Sequence, residues 1–441
     1  DVNLSADEEK WLYSLYTADH ASHRWTISRP VSGTCRWFLQ HQKYISWRDA
    51  DRSNLLWVSG DPGCGKSVLS SFLVDQLTAN PPHGKMPASS VPVPYVTVYF
   101  FCDDKIQEHR DAPSIVRSIL HQLVADRPSL VRRYFGSCFK SRGTAAAKEL
   151  ITLWDLFVAV CRDKECPPLV VIIDALDECE ERTRSRLLSS IANLYSDRSM
   201  NSEQSSVKML ITSRPEISIA DTLEALEEVR LKAEDETESI SKDVVLVAKE
   251  RLRATLQRFN PPAHAVQALT DRLTRQAGHT FLWVSLMLQM IERSAEASEE
   301  SLSHILVDLP DGLDGVYEKI LARTQGRNRQ KARTILQVVV AASRPLNLAE
   351  LNFAISVRMG DSTVDDLQTR LEPNLARTLQ VLCGPFLKVT NSAVTLVHQT
   401  AKEFLLRIEG SEMGAATSWK HTLDPADAHL TIARACLLTL S

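Results

Sequence analysis

The chain has 441 residues, of which 44% are apolar, and its formal net charge is −4. That length allows two to four domains with sizeable cores, and the acidic balance gives no support to a nucleic-acid-binding protein, which usually carries a basic face. Its nine cysteines form neither a zinc-ligand pattern nor a disulfide framework, and its longest apolar stretch, 280–291, is too short to span a bilayer, so we expect a cytoplasmic protein without a membrane segment.

The first half of the sequence alternates short apolar runs with helical patterns. Residues 1–33 are predicted to form a polar lead-in, and Ser32 or Thr34 could cap a helix from Cys35 to about Tyr44. Strand-like runs follow over 54–59, 94–101, 168–174, 207–213 and, more weakly, up to Lys232. The alternation predicts an α/β domain over 34–233, with a parallel sheet covered by helices on both faces.

After residue 233 the apolar periods become helical, which predicts an all-α helical domain over 234–330. From 331 to 410, three helices and two β runs joined by Asn391-Ser392 indicate a winged-helix domain. Residues 411–441 are expected to begin a further helical region. Because the sequence starts with Asp and stops inside a helical pattern, we expect it to be a fragment.

A winged helix often binds DNA, and a nucleotide-regulated DNA-binding regulator is therefore one alternative. The second helix of this domain carries Glu350 and no basic residue, and the third carries only Arg377. Without Lys or Arg to contact phosphates, duplex binding has little electrostatic support, so no direct nucleic-acid partner is expected.

The stretch GDPGCGKS, from Gly60 to Ser67, fits the pattern G-x-x-x-x-G-K-[ST], with a strand before it and a helix after it. Glycines allow the backbone N–H groups to turn toward phosphate, and the helix N-terminus favours an anion. Lys66 is expected to reach the β- and γ-phosphates, and Ser67 to ligate Mg²⁺. The predicted nucleotide-binding residues are Gly60, Asp61, Pro62, Gly63, Cys64, Gly65, Lys66, Ser67 and Val68. An ordinary glycine-rich turn is the alternative.

The run PLVVIIDALDE places a carboxylate, Asp174, at the carboxyl edge of the sheet beside the expected Mg²⁺. Glu178 can orient or deprotonate an attacking water, and Asp177 can support the metal shell or the water. Solvated acids after a strand end would be the structural alternative.

The run VKMLITSRPE ends a strand with Ser213-Arg214. We expect this strand to lie between the strands that lead to Lys66 and Asp174, which would point Arg214 at the γ-phosphate as a sensor. A surface arginine at a strand end fits the same pattern.

These residues resemble the NACHT branch of the STAND signalling NTPases, in particular fungal proteins related to heterokaryon-incompatibility NTPases. The resemblance rests on LLWVSGDPGCGKSVL, VVIIDALDEC, MLITSRPE, AGHTFLWVSLML, LPDGLDGVYEKIL and VTLVHQTAKEFLL, whose order covers roughly residues 25 to 410. It implies that His398 contacts the β-phosphate of ADP and locks a closed state; a core histidine at a strand–helix junction is the alternative. Related proteins carry a glycine-x-proline element near the adenine; here Thr280 replaces the proline, so Gly278 to Thr280 marks only a neighbourhood.

The resemblance implies an ATP/ADP-dependent switch in fungal innate-immunity-like or incompatibility cell-death signalling. It would be closed with ADP, open and self-associate with ATP, and use slow hydrolysis as a reset. Effector and sensor domains are expected outside this fragment. No Asn/Thr-Lys-x-Asp guanine-binding motif occurs, which favours ATP over GTP.

A continuously cycling ATPase or remodeller is the rival hypothesis. It needs an arginine donated across an interface, for which Arg110, Arg182 and Arg184 are candidates.

Overall fold

The computed structural model describes residues 4–16, 20–86, 89–136, 138, 143–196, 206–223, 230–232, 236–256, 267, 270–271, 280–293, 310, 312–322, 324, 326–358, 367, 370–406 and 418–440. The chain forms two compact units, Asp1–Asp243 and Val244–Ser441. None of the helices described in either unit is both long and apolar enough to cross a membrane.

The first unit is built from alternating helices and strands. In chain order the helices are α1 (Ala6–Leu15), α2 (His20–Trp25), α3 (Arg36–Gln40), α4 (Gln42–Asp49), α5 (Lys66–Ala79), α6 (Ala112–Val124), α7 (Leu150–Cys161), α8 (Glu181–Ser196) and α9 (Ile217–Leu223). The strands are β1 (Asn54–Ser59), β2 (His83–Met86), β3 (Ser89–Pro94), β4 (Val96–Phe101), β5 (Leu169–Asp174), β6 (Val207–Ser213) and β7 (Arg230–Lys232). Helical turns at 107–109, 128–135, 143–148 and 176–178 complete it.

Five parallel strands form the central sheet, in the order β4-β5-β6-β1-β7. The α/β fold is therefore confirmed, and so is the predicted position of β6 between β1 and β5. Ser59 pairs with Ser213, and Phe101 pairs with Asp174. Because the strands are parallel and in this register, the segments that follow β1, β5 and β6 leave from one edge of the sheet.

Apolar residues fill both faces of the sheet, which is why its strands read as continuous hydrophobic runs. Along β1, Leu55 and Trp57 join the core that contains α6, α7 and α8, whereas Leu56 and Val58 join the core that contains α4 and α5. The alternation follows from the two-residue period of a strand.

The helix predicted from Cys35 to Tyr44 is wrong, because the structure has two short helices, α3 and α4. His41 has an extended backbone (φ −69°, ψ 128°), and its Nδ1 accepts the N–H of Lys43, so this residue ends one helix and caps the next. Neither predicted cap is used: the N-cap of α3 is Cys35, at φ 64°, and the Thr34 hydroxyl donates to the Val31 carbonyl. The β2–β3 hairpin was not predicted at all.

The N-terminal helices pack on the rest of the first unit. A capping box between Ser5 and Glu8 starts α1. Trp11 is only 1% exposed and stacks on Phe135, with 4.1 Å between ring centroids. Arg24 of α2 donates to the side chain and carbonyl of Ser71 on α5, next to the phosphate loop.

The second unit is mainly helical. Its elements begin with α10 (Thr237–Leu256), which starts in the first unit, and continue with α11 (Phe281–Arg293), α12 (Gly312–Ala322), α13 (Gly326–Ala341), α14 (Leu348–Ser356), α15 (Leu375–Leu382), α16 (Gln399–Leu405) and α17 (Pro425–Leu440). The helical pattern predicted at VQALTDRLT, residues 266–274, falls mostly outside the described residues.

A small antiparallel sheet accompanies helices α13, α14 and α15. It contains β8 (Leu346–Asn347), β9 (Leu387–Thr390) and β10 (Ala393–Leu396), in the order β8-β10-β9. The predicted turn between β9 and β10 is confirmed: Asn391 and Ser392 have φ values of 50° and 67°, the pair of positive angles that matches the twist of a hairpin. Three helices followed by this hairpin give the predicted winged helix.

We predict that Trp11→Ala lowers the free energy of unfolding of the first unit by about 3 kcal/mol or more, because it removes a fully buried aromatic side chain. Tyr13→Ala is the matched control, since Tyr13 lies on the same helix and is 78% exposed. Urea unfolding should show a large loss only for Trp11→Ala. Equal losses in both variants would mean that α1 does not pack on the unit as described.

Candidate nucleotide site

The predicted phosphate loop leaves the end of β1 and enters α5. The N–H of Gly60 donates to the Ser213 carbonyl at 3.1 Å, which continues the pairing of β1 with β6 into the loop. Gly63 and Gly65 have φ values of 78° and 93°, a region that favours glycine, and Gly65 is the N-cap of α5. The predicted residues therefore form a loop, Gly60 to Gly65, that leads into the first turn of α5, Lys66 to Val68, and a helix N-terminus favours an anion.

Lys66 lies folded over this loop. Its Nζ donates to the carbonyls of Gly60 at 2.6 Å and Asp61 at 3.0 Å, and it lies 3.9 Å from the Cys64 Sγ. The loop therefore holds the ammonium group close to the position that a phosphate would take on the loop N–H groups.

Asp174 ends β5 and is only 1% exposed. Burial raises the pKa of its carboxyl, and the hydroxyls of Ser67, Ser70 and Thr212 act in the opposite direction by hydrogen bonding to it. The Oδ1 atom accepts Ser70 Oγ at 2.6 Å and Thr212 Oγ1 at 2.7 Å. The structure thus brings Asp174 and Ser67, the two predicted metal ligands, together at the start of α5.

Sequence reasoning missed Ser70 and Thr212. Ser70 follows Ser67 by three residues, so both hydroxyls lie on one face of α5. Thr212 precedes Ser213 on β6, which neighbours β5 in the sheet. The spacing of three residues from Ser67 could have predicted the role of Ser70 from the sequence, whereas the role of Thr212 could be predicted only from the strand register.

A carboxylate and a hydroxyl are oxygen donors of the kind that Mg²⁺ prefers, usually together with nucleotide phosphates and waters. The donor set of Ser67 and Asp174 therefore fits this cation.

The chain turns sharply after β5. Ala175 has φ 52°, and its N–H donates to Thr212 Oγ1 at 2.9 Å. A short helical turn at Leu176–Glu178 follows. The left-handed backbone explains why a small residue occupies this position, since a larger Cβ substituent would add strain in a buried turn.

Asp177 is paired with Arg214, the predicted sensor. One carboxylate oxygen accepts the backbone N–H of Arg214 at 3.0 Å, and the other lies 3.1 Å from the Arg214 Nε. Both oxygens of Asp177 therefore fix the end of β6. The contacts give Asp177 a positioning role toward Arg214 in addition to the metal or water role predicted from the sequence.

Glu178 lies in a strongly acidic neighbourhood. Its carboxylate oxygens approach those of Asp103 and Asp104, with the three groups within 4.8 Å of one another. Burial raises the pKa of Glu178 to about 8, and the negative charges of Asp104, Asp103 and Asp177 act in the same direction. At pH 7 a carboxyl with a pKa of about 8 is mostly protonated, and only its deprotonated fraction can accept a proton from water.

Arg184 binds partners within its own chain. It is one of the three arginines considered above for donation across an interface. Its guanidinium donates to the Asp177 carbonyl and to Glu216 Oε2, both at 2.8 Å, and only 6% of its side chain is exposed. A buried arginine with these partners stabilises the loop after β5, so Arg184 does not fit that role.

His398 lies in the second unit, between β10 and α16. It is the N-cap of α16, and its Nδ1 accepts the N–H of Thr400 at 3.2 Å. Of the neighbourhood from Gly278 to Thr280, only Thr280 belongs to the described residues.

We predict that Glu178→Gln changes stability in a pH-dependent way. Between pH 4.5 and about 8 the folded chain holds a proton on Glu178 that the unfolded chain releases, so the parent loses stability as pH rises through this window. The variant lacks this loss. Above about pH 8 its free energy of unfolding should therefore exceed that of the parent by a few kcal/mol. The reason is that each pH unit across the window lowers the free energy of unfolding of the parent by about 1.4 kcal/mol.

Unfolding free energies measured at pH 5 and at about pH 8.5 test this prediction. Glu181→Gln, at the exposed start of α8, controls for the loss of one negative charge. A difference between Glu178→Gln and the parent that stays constant with pH would contradict it.

Two family profiles match the chain. One, described as "Nephrocystin 3, N-terminal", matches residues 33–214, and the other, described as "GPI inositol-deacylase, winged helix domain", matches residues 317–416. The first match covers the phosphate loop, the acid motif and Arg214, and the second covers Tyr317 and His398.

Among curated proteins, the chain is similar to the vegetative incompatibility protein HET-E-1 of Podospora anserina. The two are 30% identical over 375 residues, which is 84% of this chain and 26% of that protein. The chain thus spans about a quarter of the length of its relative.

Solved structures with similar architecture include the ORC2 protein of Aeropyrum pernix in ADPNP and ADP complexes, and CDC6P of Pyrobaculum aerophilum. Both are 12% identical to the chain, with TM-scores of 0.39 and 0.40; they cover 92% and 96% of it, and it covers 93% and 99% of them. At these scores neither likeness bears on function. The two profile matches and the incompatibility relative agree with the motifs, and the resemblance of the chain to the fungal NACHT-type NTPases related to incompatibility proteins is confirmed.

Proposed function

We propose that the chain is the switch of a longer signalling protein, closed with ADP, opening and self-associating with ATP, and reset by slow hydrolysis. The observation that carries the proposal is the convergence of the Gly60–Ser67 loop, Asp174 and Arg214 at one edge of a parallel sheet. The name of the relative supports a role in incompatibility, and signalling toward cell death is part of the proposal. The cytoplasm is the expected compartment.

Each residue has a distinct task in this proposal. The loop N–H groups bind the phosphates, and Lys66 moves from the loop carbonyls to the β- and γ-oxygens. Ser67 and Asp174 hold Mg²⁺, which would neutralise phosphate charge. Arg214, fixed by Asp177, contacts the γ-phosphate and so distinguishes ATP from ADP.

Glu178 orients the attacking water and accepts its proton. Its raised pKa means that most of the population carries a proton at pH 7, and that fraction cannot act as a base. Slow turnover is the expected consequence, as suits a switch whose output is a conformational state.

His398 is proposed to contact the β-phosphate of ADP and so to favour the closed state. Nucleotide exchange shifts the population only if ATP and ADP differ in their affinity for the two states. A contact to the β-phosphate that is made with ADP and lost with ATP would supply that difference.

We expect freshly purified protein to contain ADP, and single-turnover hydrolysis of ATP to be slower than about one per second, the lower end of ordinary enzymes. Nucleotide content can be measured by chromatography of the denatured protein, and turnover by rapid quench. Lys66→Ala is the control and should abolish nucleotide binding. Empty sites combined with rapid multiple turnover would contradict the switch and support a cycling ATPase.

We also expect His398→Ala to release ADP faster than the parent and to promote oligomers, because it removes a contact that favours the closed state. Dissociation of a fluorescent ADP analogue and light scattering measure the two effects. His429→Ala, an exposed histidine of α17, is the matched control. If His398→Ala keeps ADP as long as the parent does, the proposed latch is wrong.

A further inference from the structure

A chain of hydrogen bonds leads from α12 to His398 within the second unit. The Tyr317 hydroxyl lies 2.8 Å from Thr400 Oγ1, and Thr400 Oγ1 lies 2.9 Å from His398 Nδ1. The backbone N–H of Thr400 points at the same nitrogen, at 3.2 Å. Tyr317 is far from the other two residues in the sequence, so the network depends on the folded unit.

The donors and acceptors in this network can be assigned from the chemistry of the groups. A backbone N–H can only donate, so the N–H of Thr400 favours an unprotonated, accepting His398 Nδ1, although at 3.2 Å it is the longer of the two contacts to this nitrogen. The Thr400 hydroxyl can donate to the same nitrogen, and it then accepts the Tyr317 hydroxyl proton. Every bond in the chain is satisfied in this direction, and the neutral imidazole carries its proton on Nε2.

The start of the network is well anchored. Tyr317 is fully buried, and its ring contacts Phe386 and Phe404, with centroids at 5.2 and 5.4 Å. Burial raises the pKa of Tyr317 to about 12, so its hydroxyl remains a proton donor throughout the physiological range.

We propose that Tyr317 and Thr400 are positioning residues that hold the neutral imidazole of His398 in the Nε2–H tautomer, so that Nε2 donates its proton to a phosphate oxygen of the nucleotide. The phosphate part rests on the proposed function of His398, whereas the tautomer can be tested without nucleotide. The inference adds two residues and one protonation state to that function.

A purely structural role for these residues makes a different prediction. A histidine that only caps α16 would need the Thr400 N–H, but neither the Thr400 hydroxyl nor Tyr317. Removing either hydroxyl would then leave the tautomer of His398 and the retention of ADP unchanged.

The first test is the tautomer of His398 in the nucleotide-free protein. Long-range ¹H–¹⁵N correlation spectra of ¹⁵N-histidine-labelled protein, recorded at about pH 8, separate the two neutral forms, and His398→Ala assigns the signals. The parent should show the Nε2–H form, and Thr400→Val, which keeps the backbone N–H, should shift part of the population to the Nδ1–H form. Thr400→Ser retains the hydroxyl and should restore the parent spectrum. An Nδ1–H form in the parent, or an unchanged spectrum in Thr400→Val, overturns the proposal.

The second test is ADP dissociation. We expect Tyr317→Phe to release ADP about fivefold faster than the parent, the effect of one neutral hydrogen bond, and Thr400→Val at least as fast. Tyr317→Phe keeps the ring contacts with Phe386 and Phe404. The matched control is Tyr95→Phe, which removes another buried tyrosine hydroxyl, bonded to Ser206 at 2.6 Å in the first unit, and should leave release unchanged.

The two tests distinguish failure of the inference from failure of the latch. If His398→Ala accelerates release but Tyr317→Phe and Thr400→Val do not, the positioning role is wrong and the latch stands. If His398→Ala leaves release unchanged, the phosphate contact is wrong, and the spectra still decide whether Thr400 sets the tautomer.

Discussion

A single buried carboxylate governs the arrangement of the candidate site. Asp174 is almost completely removed from water, and an uncompensated charge there would be very costly. Compensation comes from hydroxyls on two other elements, Ser67 and Ser70 on α5 and Thr212 on β6. The same carboxylate therefore fixes the helix that follows the predicted phosphate loop and the strand that leads to Arg214. The positions of this helix and this strand therefore depend on one residue.

A second set of bonds ties the loop after β5 to β6. Asp177 binds Arg214 through both carboxylate oxygens, and Arg184 bridges the Asp177 carbonyl and Glu216. Because each element is held by at least two bonds, the acid loop and the end of β6 are expected to move as one piece. A movement of Arg214 would then displace Asp177 and, with it, the neighbouring residue Glu178.

Much of this site could be predicted from the sequence because parallel strands are long apolar runs whose ends share an edge. The loop, Asp174 and the place of β6 followed from that rule. Ser70 and Thr212 escaped prediction because small hydroxyl residues are common in helices and sheets, and their importance appears only with the register. The break at His41 escaped because a histidine side chain is an unusual cap. The partnership of Tyr317 with Thr400 depends on tertiary contact, which no local pattern encodes.

The folded position of Lys66 changes how affinity for nucleotide should be understood. Its ammonium already has two carbonyl partners, on Gly60 and Asp61. Phosphate binding thus replaces those bonds, and the measured affinity is the difference between two sets of contacts. Such an exchange would keep the cation compensated both with and without phosphate. It also means that the loop can release nucleotide without leaving an isolated charge behind.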